Sequence, residues 1–188
     1  MLNSINPSAI RSQQEIKKAL IALMREYQYK DITVKQIILE SELSRKTFYR
    51  NYNSKDDVLI SLVKISLEDY FSIVNNEDVD ILSTIFSFVD KNKELLSLLD
   101  KNDMLNVVLQ YINRYGFEYR KKHLSSSNPF TQLFDSLDSD YLIALNCGAI
   151  WNVVSLWIHQ GMKDSPDSVR ATISEYLSRL KQSDIKLL

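Results

Sequence analysis

Residues 45–53 hold a concentration of side chains that can bind a polyanion. The stretch carries three Arg or Lys residues, three aromatic residues and Thr47 within nine positions. Guanidinium and ammonium groups donate hydrogen bonds to phosphate oxygens and to guanine edges, and the methyl group of threonine can contact that of thymine. These residue types therefore offer the chemistry of DNA recognition, provided that the local structure presents them to a groove.

Capping signals predict the helices that would present these side chains. Thr33 with Gln36 has the form of a capping box and predicts a short helix over residues 34–40. Ser44 can cap the next helix, which we expect over residues 45–51. The segment between the two helices is too short for anything but a tight turn.

A longer helix is predicted over residues 8–28, before the two short ones. Two short helices joined by a tight turn form a helix-turn-helix arrangement. In this arrangement the second short helix lies in the major groove, and its N-terminal residues reach the base edges. We therefore expect groove contacts from Ser44, Arg45, Lys46 and Thr47.

Phosphate contacts are expected where helix N-termini point free N–H groups and their positive dipole ends outward. The predicted helices that follow Thr33 and Ser54 offer two such ends, and Lys55 adds a positive charge to the second.

Charge is unevenly distributed along the chain. Residues 1–64 hold 11 Lys/Arg against 7 Asp/Glu, a balance of +4, whereas residues 65–188 hold 12 against 17, a balance of −5. A basic N-terminal part on an acidic remainder indicates that the N-terminal part is the one that meets a polyanion.

The rest of the chain is predicted to be helical. Glycine and proline occur only three times each in 188 residues, which favours an all-α chain with short connections. Further helices are expected over residues 54–75, 78–91, 93–100, 103–122, 139–160 and 166–182, and the polar segment 123–138 is interpreted mostly as a loop. The helix over 139–160 is apolar nearly all round and is expected to be buried. Its apolar stretch, residues 142–158, is shorter than the roughly 20 residues that span a bilayer.

The segment ITVKQIILESELSRKTFYRNYNSKDDVL resembles the DNA-binding signature of the TetR/AcrR transcriptional regulators, in a match that covers about residues 8–63. The resemblance implies a three-helix DNA-binding domain over residues 1–53 and a helical effector-binding and dimerisation domain over residues 54–188. It also implies phosphate contacts from Thr33, Tyr49 and Lys55, and a packing role for Phe48 and Tyr52.

Glu42 departs from the family pattern, which usually has glycine at this position in the turn. A non-glycine residue held at positive φ costs on the order of 1 kcal/mol. We therefore expect a turn of a different shape here, and with it a slightly different angle of the recognition helix. Lys46 also replaces a frequent glycine and adds a charge at the groove-facing end.

The segment YLIALNCGAIWNVVSLWIHQGMKDSPDSVRATISEYL is similar to the last two helices of family members that dimerise through a four-helix bundle. One narrow apolar stripe lies on the last predicted helix and has no obvious use on the surface of a monomer. A two-fold axis would pair this stripe with itself, which predicts a homodimer. The stripe consists of Val169, Ile173, Tyr176, Leu177 and Leu180.

A small-molecule effector is expected in a largely apolar cavity between the helix that starts at Ser54 and the helices over 103–122 and 139–160. For any single aromatic residue of this part, a place in the core is the more frequent outcome. The candidate ligand-binding residues are Phe71, Phe86, Tyr111, Tyr115 and Trp151.

Catalytic and metal chemistry have little support in the sequence. His123 and His159 are the only histidines and Cys147 is the only cysteine, so no metal-ligand spacing exists. No nucleophile–base pair, phosphate-binding loop or pair of catalytic acids stands out. We expect a protein with no cofactor and no enzymatic activity. The lone cysteine and the lack of an apolar signal-peptide core favour the cytoplasm.

Two functions remain open at this level. The first is a transcription factor, usually a repressor, that is released from its operator by a small molecule. The second is a coregulator of the same fold whose C-terminal body binds another protein instead. Only a body that binds small molecules would be stabilised by them through mass action.

Overall fold

The computed structural model describes residues 7–74, 80–123 and 139–182, which form nine α-helices and no β-strand. A 3₁₀ turn, Tyr29–Asp31, joins the first helix to the second. The expectation of an all-α chain is confirmed. In chain order the helices are α1 (Pro7–Glu26), α2 (Val34–Glu40), α3 (Arg45–Asn51), α4 (Lys55–Val74), α5 (Ile81–Lys91), α6 (Lys93–Lys101), α7 (Asn106–His123), α8 (Ser139–His159) and α9 (Pro166–Gln182).

The predicted caps are present at the starts of the two short helices. Thr33 Oγ1 accepts a hydrogen bond from the N–H of Gln36 at 3.3 Å, and Gln36 Oε1 accepts one from the N–H of Thr33 at 2.8 Å. Ser44 Oγ accepts from the N–H of Thr47 at 3.1 Å. Each bond satisfies a donor that the helix itself leaves without a partner. Both short helices therefore have the predicted bounds.

Helices α1, α2 and α3 form the N-terminal head of the molecule. Ile16, Leu20 and Met24 follow one face of α1 at helical spacing and are buried there. Ile37 of α2 and Phe48 of α3 are completely buried in the same core. Removal of a buried phenylalanine side chain costs about 3–5 kcal/mol, so Phe48 fixes which face of α3 turns inward.

Helix α4 belongs to the head and to the C-terminal body at once. Val58, Leu59 and Val63 in its first half are buried and belong to the same hydrophobic cluster as the head residues. Leu67, one turn further, is buried and lies beside an apolar cavity in the body. This cluster runs without a break from α1 into the body. The division into two domains at residue 54 stays a prediction.

Helix α8 is apolar on two faces, but only one of them is buried. Trp151, Val154 and Trp157 lie in the core, whereas Leu145 and Leu156 are 65% and 57% exposed. The expectation that the whole helix is buried is therefore wrong for the single chain. The physical reason is that the neighbouring helices cover one side of α8 only. By length and composition alone, residues Asp140–His159 would also suffice to cross a membrane.

The turn between α2 and α3 keeps a left-handed residue although glycine is absent. Glu42 has a φ of 53°, and its N–H donates to the carbonyl of Leu39 at 3.2 Å. The N–H of Leu43 then donates to the carbonyl of Ile38 at 3.4 Å, which closes the end of α2 as left-handed C-terminal caps do. The expectation of a differently shaped turn is wrong, since the geometry that favours glycine is retained with a glutamate in it.

We expect Glu42→Gly to raise the free energy of unfolding by about 1 kcal/mol, because glycine adopts a positive φ without a clash of its Cβ. The greater freedom of glycine in the unfolded chain offsets part of this gain. Glu42→Ala is the matched control, since it removes the carboxylate and keeps the Cβ. Urea denaturation of the three proteins checks the prediction, which is wrong if the glycine variant is no more stable than the alanine variant.

Candidate nucleic-acid interface

The first turn of α3 presents the predicted groove-contacting residues to solvent. Arg45 and Lys46 are exposed, and Ser44 precedes them as the exposed N-cap. Phe48 points the opposite way, into the core of the head. The structure thus brings together two exposed cationic groups and a helix N-terminus on one surface.

Tyr49 lies on this surface beside Arg45. The Tyr49 side chain is 45% exposed, and its ring packs edge-on against Phe48 with 5.3 Å between the ring centroids. The guanidinium carbon of Arg45 lies 5.5 Å from the centre of the Tyr49 ring. Such a contact between a cation and an aromatic face restrains the long arginine side chain. Tyr52 is buried, as the packing role predicted for it requires.

The hydroxyl groups of the two candidate threonines already have partners within the chain. Thr33 Oγ1 donates to Gln36 Oε1 at 2.7 Å. Thr47 Oγ1 lies 2.9 Å from Ser44 Oγ, and either atom can be the donor. A contact of Thr33 with phosphate through its hydroxyl proton would have to replace the bond to Gln36. The phosphate and groove contacts of these residues stay predictions.

Lys55 has a structural role in the free chain that the sequence did not predict. Its ammonium group donates to the carbonyl oxygens of Tyr29 at 2.7 Å, Lys30 at 3.1 Å and Ile32 at 2.8 Å. It also lies 4.6 Å from the centre of the Tyr29 ring. An ammonium group has three N–H donors, and all three are used. In the free chain Lys55 holds the 3₁₀ turn onto the start of α4. A direct contact of Lys55 with phosphate would have to replace one of these bonds and stays a prediction.

Tyr29 is the residue that sequence reasoning missed. Its hydroxyl donates to Asp56 Oδ1 at 2.5 Å, and its N–H donates to Asn102 Oδ1 at 2.6 Å. Burial, and next the hydrogen bond to Asp56, raise the pKa of Tyr29 well above its usual range. The side chain is therefore neutral and serves as a fixed donor. Its one signal in the sequence was an aromatic residue just after α1.

In the described part of the chain, the candidate ligand-binding residues Trp151 and Tyr111 line different cavities. Trp151 lies beside a narrow apolar cavity of about 70 Å³ between α4, α5, α7 and α8. Tyr111 instead lines a separate groove of about 190 Å³ between α4 and α7. Phe86 packs edge-on against Trp157, and the rings of Phe71 and Tyr115 are stacked 4.0 Å apart. Of the five candidate residues, Trp151 lines the apolar cavity between α4, α5, α7 and α8. The ligand-binding roles of all five stay predictions.

The cavity offers few polar groups to a ligand. Besides Trp151 it is lined by Leu67, Tyr70, Ile81, Ile85, Phe88, Ile112, Asn146, Cys147, Ile150 and Val154. None of these side chains is charged at neutral pH, since burial raises the pKa of Cys147. The Asn146 amide already donates to the carbonyl of Leu142 at 2.8 Å. A ligand of this cavity would be bound mainly through apolar contacts.

The residues of the predicted dimer stripe on α9 differ in their exposure to solvent. Val169 packs against the core of its own chain, and Ile173 is half-buried. Tyr176 and Leu177 are 57% and 54% exposed. Leu180 is half-buried as well.

Among the described residues, no group of three or more His, Cys, Asp or Glu side chains could hold a metal ion.

Known proteins with a similar sequence or structure are transcriptional regulators. No protein-family model matches the chain. An uncharacterised helix-turn-helix transcriptional regulator of Bacillus subtilis (strain 168) is 26% identical over 139 residues, which are 73% of this chain and 33% of that protein. The chain thus spans about a third of the length of the curated relative that it matches.

Two crystal structures align over nearly the whole chain. A putative TetR-family regulator from Syntrophomonas wolfei has a TM-score of 0.63 at 14% identity and covers 94% of this chain and 98% of its own. A TetR regulator from Streptococcus agalactiae has a TM-score of 0.61 at 19% identity and covers 92% and 94%. The resemblance found in the sequence is therefore confirmed at the level of the fold.

We expect Lys55→Ala to lower the free energy of unfolding by about 1–3 kcal/mol, because the carbonyl groups of Lys30 and Ile32 lose this donor and the carbonyl of Tyr29 keeps only the N–H of Ile32. Lys46→Ala is the control, since it removes an exposed ammonium group from the same head and should change stability by less than about 0.5 kcal/mol. Thermal and urea unfolding of both variants measure the difference. If Lys55→Ala is as stable as Lys46→Ala, the structural role of Lys55 is refuted.

Proposed function

We propose that this chain, whose fold is that of the TetR-family regulators, is a DNA-binding transcriptional regulator that binds an inverted-repeat operator as a homodimer. The observation that carries the proposal is the first turn of α3, where Arg45 and Lys46 are exposed while Phe48 anchors the same helix in the core. An exposed, basic helix start on a rigid head is the geometry that reads base edges in a major groove.

The proposal assigns two kinds of DNA contact to the candidate residues of the interface. Arg45 and Lys46 read base edges as hydrogen-bond donors, and Thr47 reads a thymine methyl group. Tyr49 and Thr33 position the head through phosphate contacts, which carry affinity but no sequence information. The surplus of positive charge in the head supports the same orientation toward DNA.

A second copy of the chain is the proposed cover of the exposed apolar face. On α8 this face includes Leu145, Val153 and Leu156, and on α9 it includes Tyr176 and Leu177. The three α8 positions recur at intervals of eight and three residues and so lie on one side of the helix. Clustered exposed apolar side chains mark an interaction site, and a two-fold axis would bury them against the second copy. Burial between two copies also accounts for the length and apolarity of α8 without a membrane.

Regulation by a small molecule is proposed for the apolar cavity that Trp151 lines. The cavity volume of about 70 Å³ is well below the roughly 300 Å³ of ordinary ligand pockets, so a ligand would have to widen it. This small volume is the observation that favours the second candidate, a coregulator whose body binds a protein partner. We propose for either case a cytoplasmic protein without enzymatic activity; a repressor is proposed for the ligand-responsive case.

Operator selection from a random duplex pool tests the function. We expect the wild type to enrich an inverted repeat with half-sites about one helical turn apart or somewhat more. Arg45→Ala and Lys46→Ala should relax preference at particular base pairs by about 1–3 kcal/mol if the lost contact is bidentate. Tyr49→Phe should weaken binding to all sequences alike, since a phosphate contact carries no sequence information.

The same selection defines how the assignment fails. If the wild type enriches no inverted repeat, the proposed function is wrong. If Arg45→Ala and Lys46→Ala lose affinity without a shift in base preference, the groove-reading roles are wrong. Arg45 and Lys46 would then be phosphate-contacting residues.

Leu177→Glu should convert the dimer into monomers, because an unpaired carboxylate would be buried at the two-fold axis. Ser168→Glu is the matched control: it introduces the same charge nine residues earlier, which is the opposite face of α9. Light scattering at micromolar concentration measures both variants. A Leu177→Glu protein that remains fully dimeric would contradict the proposed seam.

A further inference from the structure

The C-terminal end of α6 holds the head of the molecule by polar contacts. Lys101 Nζ donates to the carbonyl oxygen of Arg25, in the last turn of α1, at 2.9 Å. The next residue, Asn102, accepts a hydrogen bond from the N–H of Tyr29 through Oδ1 at 2.6 Å. Earlier on α6, Glu94 accepts from Nε of Arg25 at 2.7 Å. The exit of α1 is therefore held by α6, which belongs to the body.

The Asn102 amide is held in one orientation. Its Nδ2 donates to the carbonyl of Leu98, one turn back on α6, at 2.8 Å. A flipped amide would direct an oxygen at this carbonyl and an N–H group at the N–H of Tyr29, so only one orientation satisfies both partners. Asn102 thus presents a fixed acceptor to the head.

The same end of α6 also contacts α8. Asp100 Oδ1 lies 3.1 Å from Nδ1 of His159 in the last turn of α8. Helix α8 carries the exposed apolar face that we assign to the second copy of the chain. The consecutive residues Asp100, Lys101 and Asn102 therefore lie between the proposed dimer helix and the head.

Tyr29, the partner of Asn102, is held by hydrogen bonds from two sides. Its carbonyl accepts from Lys55 and its hydroxyl donates to Asp56, so the first two residues of α4 hold it from one side. Asn102 holds it from the other side. A displacement of α6 relative to α4 would act directly on the 3₁₀ turn and, through Ile32 and Thr33, on the start of α2.

We propose that Asn102 is a positioning residue for operator binding: its bond to the Tyr29 N–H sets the orientation of each head relative to the dimer. The proposal rests on the proposed function, since orientation matters only if two heads engage one duplex. A head held at a fixed angle accepts one separation of half-sites, and a head freed from α6 accepts several. Asn102 therefore acts on the spacing of the operator rather than on the bases that are read.

A residue that merely ends a helix would not need a hydrogen bond such as the one from the Tyr29 N–H to Asn102 Oδ1. Asn92, at the other end of α6, donates through Nδ2 to the carbonyl of Phe88, one turn back, at 2.8 Å. It thereby makes the same local contact as Asn102, but within the C-terminal body and away from α1. Asn92→Ala is consequently the matched control for the loss of local capping alone.

The test compares binding to duplexes whose half-sites are identical and whose spacer is either the preferred one or one base pair longer. We expect the preference of the wild type for its own spacer to fall by about fivefold in Asn102→Ala, since one neutral hydrogen bond per head is lost. Binding to a single half-site should stay within about twofold. Asn102→Asp retains an acceptor for the Tyr29 N–H but directs its second oxygen at the carbonyl of Leu98, so it should keep more of the spacer preference than Asn102→Ala and less than the wild type.

Hydrogen exchange of the Tyr29 amide provides a readout without DNA. We expect this amide to be protected in the wild type and in Asn92→Ala, and to exchange about tenfold faster or more in Asn102→Ala. If the wild-type amide is unprotected, the bond is absent and the proposal is overturned.

The remaining outcomes separate the two levels of the proposal. If the wild type binds an inverted repeat, and Asn102→Ala keeps the spacer preference of Asn92→Ala, the positioning role is wrong while the proposed function stands. If the wild type binds no inverted repeat at all, the proposed function fails and the positioning role fails with it, whatever the exchange of Tyr29.

Discussion

The ammonium group of Lys55 joins the 3₁₀ turn of the head to the start of α4, the helix that runs on into the body. Three backbone carbonyl groups of the segment from Tyr29 to Ile32 converge on it. The bonds to Tyr29 and Ile32 are partly buried, and a buried carbonyl group without a donor is costly, so the cation at the start of α4 stabilises the path of this segment. Because α4 continues into the core of the body, a local need for hydrogen bonds becomes a constraint on the whole molecule.

Local signals predicted the head well because each of them acts over three or four residues. The capping box at Thr33 and the cap at Ser44 determine where α2 and α3 begin, and both are present as expected. Phe48 on α3 and Tyr52, the C-cap residue that follows this helix, are both buried, as the resemblance implied. The overall fold followed from these elements and from the scarcity of glycine and proline.

Long-range contacts account for what the sequence did not predict. Lys55 was interpreted as a phosphate ligand because its charge follows a helix cap, and nothing local reveals carbonyl groups 23 to 26 positions away. Asn102 meets Tyr29 across 73 positions, a contact that no periodic pattern encodes. The aromatic residues of the body were correctly treated as mostly core, but the pairings Phe71–Tyr115 and Phe86–Trp157 depend on how the helices pack.

The continuity of the hydrophobic core through α4 limits how this protein can be taken apart. The head alone, cut before α4, would lose Val58, Leu59 and Val63, whose burial completes its interior, and the cation that gathers the carbonyl groups behind Tyr29. A fragment that keeps this interior together therefore includes the first half of α4, beyond the boundary that the DNA-binding motif suggests. A chimaera that joins this head to another regulator's body would have to place the junction after Val63, and an exchange at residue 54 would divide one interior between two unrelated proteins.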